Sequence, residues 1–131
     1  MQRVTGLGGI FFKARDPEGL RAWYRRHLGL DVQPWGGVAL PPAPTLPADS
    51  PAPLASHTTW CIFPADSDYF GSARAPFMIN YRVDDLDALL ALLRSEGCLV
   101  DDRIDVSDYG RFGWVTDPEG NRIELWQAPR P

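Results

Sequence analysis

The chain has 131 residues, 44% apolar and 23% charged, the proportions of an ordinary soluble domain. A net charge of −4 and a pI near 5.0 argue against a broad surface for nucleic acid or anionic membrane, and no apolar run approaches the roughly 20 residues of a membrane helix. Two cysteines without metal-type spacing and an N-terminus without a signal-peptide pattern favour a cytoplasmic location with reduced thiols.

The first half of the chain predicts a strand followed by a well-capped helix. Residues 7–14 form an apolar strand candidate. Asp16, Pro17 and Glu18 then supply an N-cap, a proline at the first helical position and an early acid, and Gly29 supplies the C-cap. Further short strands are expected at 30–33, 37–40 and 58–63.

A proline-rich segment, residues 41–56, interrupts this half. It holds six prolines and no apolar periodicity, so it predicts an exposed, partly extended loop. A surface insertion is the simpler interpretation, and a docking site for a partner protein is the alternative.

The second half repeats the pattern of the first. A strand at 77–83 runs into the acidic helix start at Asp85, a leucine stripe follows, and Gly97 ends the helix. Strands are then expected at 99–100, 111–116 and 122–127, the last two joined by a DPEGN turn.

Aligned at an offset of about 69 residues, the two halves share their order of elements. Each has a strand, an acidic cap, an amphipathic helix, a glycine and three strands. Two tandem βαβββ modules, residues 1–66 and 67–131, are therefore predicted within one structural domain of the α+β class.

This doubled βαβββ pattern, closed by DPEGNRIELWQ, resembles the vicinal oxygen chelate superfamily of glyoxalases, extradiol dioxygenases and bleomycin-resistance proteins. The resemblance implies a mixed sheet that curls into a cleft, with the helices on its outer faces, and a homodimer. It also implies a divalent metal held by one residue from the first strand and one from the fourth strand of each module, usually His, Gln or Glu.

This chain does not supply that ligand set. The four positions fall on Gly9, Trp60 or (in the alternative register) Cys61, Met78, and Glu124. Glycine has no side chain and a thioether is a poor ligand for a hard ion, so only Glu124 matches. His57 and His27 are the nearest substitutes, and a lone histidine in such places is more often a surface or capping residue. No cofactor is therefore predicted.

Strand alternation predicts what faces the cleft instead. If the ligand positions point inward, the cleft is aromatic and apolar with a few polar groups. Arg111 is expected at its lip, with pairing to an acid of DDRID as the alternative; the linker residues Asp66, Asp68 and Tyr69 are expected to form turns. The predicted ligand-binding residues are Phe11, Trp60, Met78, Asn80, Arg111, Glu124 and Trp126.

These residues favour a protein that binds a small organic molecule in the inter-module cleft without a metal and without turnover, as bleomycin-resistance proteins do. A collapsed cleft, with Glu124 hydrogen-bonded inside its own chain, is an open alternative. If the protein is an enzyme, a glyoxalase-type lyase or dioxygenase with a rearranged metal site on Glu124 and His57 is expected. A third hypothesis is a partner-binding module that acts through the proline-rich segment.

Overall fold

The computed structural model describes residues 3–42, 56–72 and 74–130. Most of the proline-rich segment, and with it the loop predicted there, lies outside these ranges. No helix in the described ranges is long and apolar enough to cross a membrane.

The described residues form two helices and eight strands. The elements are β1 (Val4–Ala14), α1 (Pro17–Leu28), β2 (Gly37–Leu40), β3 (Thr58–Pro64), β4 (Phe77–Val83), α2 (Leu86–Ser95), β5 (Leu99–Val100), β6 (Asp105–Ser107), β7 (Gly110–Thr116) and β8 (Arg122–Gln127).

The strands form one open mixed sheet in the order β2-β3-β1-β4-β8-β7-β5, with β6 paired to β7. In each half the first strand pairs in parallel with the last, β1 with β3 and β4 with β8. The two halves meet through the antiparallel pair β1–β4 at the centre of the sheet. The predicted α+β class with tandem modules is thereby confirmed, while the module boundary at residues 66 and 67 stays a prediction.

Two details of the strand prediction were wrong. Residues 30–33 form no strand, because the Gln33 N–H donates to the Gly37 carbonyl at 2.8 Å and turns the chain directly into β2. The three-residue strand β6 was not predicted; it is short and largely exposed and has little apolar signal. Within the described residues, two strands (β2 and β3) therefore follow α1 in the first half, and four strands (β5 to β8) follow α2 in the second half.

Side-chain caps fix both helices where the sequence predicts them. Asp16 Oδ1 accepts from the Gly19 N–H, and Asp85 Oδ1 accepts from the Ala88 N–H, each at 3.1 Å. Gly29 ends α1 in the left-handed region at φ 68°, which only glycine adopts without strain. The helices consequently begin at the acidic residues that close β1 and β4.

The apolar core lies on both faces of the sheet. One cluster packs under α2 and includes Leu86, Leu90 and Leu125, and a second packs under α1 around Trp60 and Ile62. A third cluster fills the opposite face, called the cleft face from here on; its buried members are Phe11, Cys61, Phe70, Met78 and Trp114. The cleft face carries the polar groups discussed next.

Candidate functional site

Glu124 lies on β8 in the middle of the cleft face and is only 1% exposed. Both neighbouring strands place a hydrogen-bond donor directly opposite it: Asn80 on β4 and Trp114 on β7. Asn80 Nδ2 donates to Glu124 Oε1 at 2.6 Å, and Trp114 Nε1 donates to Oε2 at 3.0 Å. The register of β8 against both neighbours thus produces this convergence.

A third donor comes from the linker between β3 and β4. The Tyr69 hydroxyl donates to Glu124 Oε2 at 2.5 Å, while the Tyr69 carbonyl accepts from Arg122 Nη1 at 2.6 Å. Phe70 beside it is fully buried in the cleft-face cluster. We call Tyr69 and Phe70 the plug residues, because together they cover the carboxylate and fill the cleft.

The electrostatics of Glu124 are set mainly by its burial. Loss of hydration raises the pKa of its carboxyl group, and the three donors and the Arg122 charge oppose that rise without cancelling it. Burial, together with the neighbouring Glu124 carboxylate, also raises the pKa of Tyr69, so this phenol stays protonated and donates. Every hydrogen bond assigned to the Glu124 side chain is one that it accepts.

Aromatic rings line the space around this carboxylate. Phe63 stacks on Tyr69 with ring centres 5.3 Å apart and lies 5.6 Å from Phe11. On the other side Trp126 stacks on Phe112 at 6.4 Å. In this structure the chain's own aromatic rings fill this space, and Glu124 is hydrogen-bonded inside its own chain, as the alternative of a collapsed cleft expects.

The structure brings five of the seven predicted site residues together on the cleft face, and all five are buried. They are Phe11, Met78, Asn80, Glu124 and Trp126. Whether they bind a ligand stays a prediction.

The prediction that Trp60 lines the cleft was wrong. In the parallel pair of β1 with β3, Trp60 lies opposite Ile10 and Cys61 lies opposite Phe11, so Trp60 shares the helix-bearing face. Its ring packs edge-on against Tyr24 of α1 at 4.9 Å. Cys61 therefore takes the position in the first half that Glu124 takes in the second.

The prediction that Arg111 forms a lip over the cleft was also wrong. Arg111 and Gly113 are two residues apart on β7, so they share one face of the sheet. A β-carbon at Gly113 would contact leucines of α2, and Arg111 therefore points to the helix-bearing face. Its Nη2 pairs with Asp87 in the first turn of α2 at 2.8 Å, not with an acid of DDRID. Two acids of DDRID pair with other arginines, Asp105 with Arg103 and Asp101 with Arg122.

Sequence reasoning missed Trp114 and the two plug residues. Trp114 was assigned to a strand, but the face of the sheet to which it points was not predicted. Its spacing of two residues from Phe112 in GRFGWVT indicates that the two rings share a face. Tyr69 was interpreted as a turn residue. The signal that could have found it is the adjacent pair Tyr69–Phe70 within an otherwise polar linker, because two large rings in such a segment indicate an anchor.

The residues at the four ligand positions do not fit a divalent metal. Gly9 offers no donor and Met78 only a thioether, and burial raises the pKa of the Cys61 thiol, which disfavours the thiolate that binds metals. The oxygens of Glu124 already accept three hydrogen bonds. Within residues 3–42, 56–72 and 74–130, no three His, Cys, Asp or Glu side chains lie close enough to hold an ion.

Gly8 leaves the room that Asn80 needs. A β-carbon at Gly8 would overlap Asn80 Oδ1 and lie 2.9 Å from Trp126 Cε3. Gly8→Ala should therefore lower the free energy of unfolding by about 1–3 kcal/mol, measured by urea denaturation. Asn80→Ala removes the atom that the new β-carbon would overlap. Its loss of unfolding free energy should therefore be smaller in the Gly8→Ala protein than in the wild type. Equal costs in both backgrounds would contradict the proposed overlap.

Fold and site together define a protein built from two βαβββ-type halves, with a buried carboxylate at the centre of its cleft face. Residues 9–126 match the family model of the glyoxalase-like domain. The chain belongs to this family, and the resemblance seen in the sequence is confirmed. A comparison with curated proteins finds no match.

Solved structures share the fold at low sequence identity. A methylmalonyl-CoA epimerase from Mycobacterium tuberculosis is 22% identical, with a TM-score of 0.64 over 99% of this chain and 92% of that one. A Streptomyces coelicolor methylmalonyl-CoA epimerase in complex with 2-nitronate-propionyl-CoA is 16% identical, with a TM-score of 0.66 over 97% and 99%. A glyoxalase/bleomycin resistance protein/dioxygenase superfamily member from Vibrio splendidus 12B01 is 13% identical, with a TM-score of 0.56 over 90% and 95%.

Proposed function

We propose that this glyoxalase-like protein binds a small organic molecule in the inter-module cleft, without a metal, by replacing the Tyr69 side chain on Glu124. The observation that carries the proposal is the unequal anchoring of the three donors around that carboxylate. Asn80 and Trp114 belong to the sheet, whereas Tyr69 belongs to a linker of turns. A ligand can displace the linker side chain and leave the sheet intact.

The chemistry of Glu124 restricts the ligand to a hydrogen-bond donor. An ionised carboxylate only accepts, and its oxygens face donors from three sides, so a hydroxyl or amine must occupy the place of the Tyr69 hydroxyl. Phe63 and Phe11 would contact a flat apolar body. The ligand class is therefore a small aromatic alcohol, phenol or amine.

Metal-dependent turnover is not proposed, because a catalytic metal needs about three protein ligands and the donor set offers one carboxylate. Of the histidines considered as substitutes, His27 lies in the last turn of α1 against Trp23, at 5.1 Å between ring centres. A homodimer remains part of the proposal by resemblance, and a cytoplasmic location remains part of it on the cysteine usage.

The test uses phenol, which copies the Tyr69 side chain, and anisole, which has the same shape without a donor. Phenol should raise the Tm of the wild-type protein in proportion to RT ln(1 + [L]/Kd), and anisole should not. Tyr69→Phe removes the competing hydrogen bond, so we expect its affinity for phenol to rise about tenfold. Glu124→Gln should weaken phenol binding by about the same factor.

Tyr109→Phe is the matched control, because Tyr109 is 68% exposed and removing its hydroxyl leaves the Glu124 site untouched. Its phenol affinity should equal that of the wild type. Equal stabilisation by phenol and anisole, or an unchanged affinity in Tyr69→Phe, would rule out binding at Glu124.

A further inference from the structure

A second concave surface lies outside the cleft, where the end of β1 runs into α1. It is an open groove of about 910 Å³, within the range of small-molecule sites. Its lining includes three basic residues, Lys13, Arg15 and Arg74, and two aromatic residues of α1, Trp23 and Tyr24, which we call the aromatic wall. We refer to these five residues as the cationic groove.

The positive charges that line this groove outnumber the negative ones. Lys13, Arg15 and Arg74 form no salt bridge with any residue that the structure describes, although the chain as a whole carries a net charge of −4. The acid among the lining residues is Asp16, whose Oδ1 accepts the capping hydrogen bond from the Gly19 N–H while the carboxylate keeps its single negative charge. The Lys13 ammonium itself lies 5.0 Å from the centre of the Phe70 ring, so the groove depends on Arg15 and Arg74 for its free charge. These two guanidinium groups outnumber the one carboxylate, and such an excess of positive charge favours an anion there.

The aromatic wall adds a stacking surface to this charge. Trp23 is 49% exposed, yet its ring lies edge-on to Tyr24 at 5.2 Å and close to His27 at 5.1 Å. An indole held by two neighbours and half open to solvent presents a fixed apolar face. Burying that face under a planar ligand removes apolar surface from water.

We propose that the cationic groove binds a planar organic anion, an aryl carboxylate or a molecule of the same chemistry, with its ring on Trp23 and its charge on Arg15 and Arg74. A guanidinium presents a planar fork of donors that matches a carboxylate bidentately. This site is separate from Glu124, which accepts donors and repels anions. The protein therefore carries two sites of opposite preference.

The experiment titrates the full-length protein with 1-naphthoate and, as an uncharged probe of the same shape, 1-naphthamide. Binding is followed by the NMR signal of the Trp23 indole N–H, identified as the signal missing in Trp23→Phe. The double variant Arg15→Gln/Arg74→Gln should bind naphthoate about tenfold more weakly, since two exposed ion pairs are lost. Naphthamide should bind the wild type more weakly by a similar factor.

Arg26→Gln/Arg130→Gln is the charge-matched control, because both residues are exposed, do not line the groove and change the net charge equally. It should retain naphthoate affinity within about twofold. Glu124→Gln should leave naphthoate binding unchanged, so failure of this site is distinguishable from failure of the cleft. Equal loss in both double variants, equal binding of naphthamide, or no saturable shift up to about 5 mM naphthoate would overturn the proposal.

Discussion

Replacing Glu124 by alanine should lower the free energy of unfolding by about 3–5 kcal/mol. The variant leaves the donors of Tyr69, Asn80 and Trp114 without their acceptor in a part of the core that water does not reach. Each unmet buried donor is costly, whereas the carboxylate itself contributes little packing area. Urea denaturation at neutral pH measures this loss of unfolding free energy, provided that the m-value is the same in the variant and the wild type.

Two further variants separate this effect from a general loss of charge. Glu119→Ala removes an exposed acid from the DPEGN turn and should change stability by less than about 0.5 kcal/mol. Glu124→Gln keeps one acceptor oxygen, so its loss of unfolding free energy should lie between those of Glu119→Ala and Glu124→Ala. A loss below about 1 kcal/mol in Glu124→Ala would show that the three donors find other partners.

The pH dependence of stability follows from the same burial. Because the pKa of Glu124 is raised in the folded state above its ordinary value of 4.5, the folded chain holds this proton more tightly than the unfolded chain. Wild-type stability should therefore decline, relative to Glu124→Gln, as the pH rises from about 4.5 through the raised pKa. Parallel stability curves for the two proteins from pH 4 to 8 would contradict a raised pKa at this group.

Phe70→Ala should lower the free energy of unfolding by about 3–5 kcal/mol and open the cleft. Phe70 is fully buried, lies 5.3 Å from the Phe63 ring and has the Lys13 ammonium 5.0 Å from its ring centre. Its removal leaves an apolar cavity under the linker. Benzene should bind that cavity and raise the Tm of the variant but not of the wild type.

Phe77→Ala provides the matched control, since Phe77 is 47% exposed and the same atoms are deleted. Its loss should be less than half that of Phe70→Ala. A similar loss in both variants, or a Phe70→Ala protein that benzene does not stabilise, would show that Phe70 is not the residue that fills the cleft.

Local signals account for what the sequence predicted about the fold. An aspartate that caps its own helix and a glycine close after its end act within one turn, and α1 adds a proline at its first position. Both helices were therefore placed from their neighbours alone. Strand alternation is equally local, since successive side chains point to opposite faces. It therefore put Phe11, Met78, Asn80, Glu124 and Trp126 on one face correctly.

The errors at Trp60 and Arg111 arose where a contact between distant segments decides the outcome. Alternation makes Trp60 and Cys61 face opposite sides, but only the pairing of β3 with β1 decides which of them meets the cleft. Arg111 points to α2, where Asp87 offers a salt bridge, because β7 packs its small residue Gly113 against the leucines of that helix. Neither partner is near in sequence.

DPEGNRIELWQ therefore determined, by itself, a turn, a strand and an inward-facing Glu124, because each depends on residues within a few positions. Only the tertiary structure decided what that carboxylate does inside the folded chain. Its donors come from residues 69, 80 and 114, and the registers of β4, β7 and β8 bring the last two together while the linker adds the first. Hydrogen bonds across such separations depend on packing of the whole sheet, which no local pattern encodes.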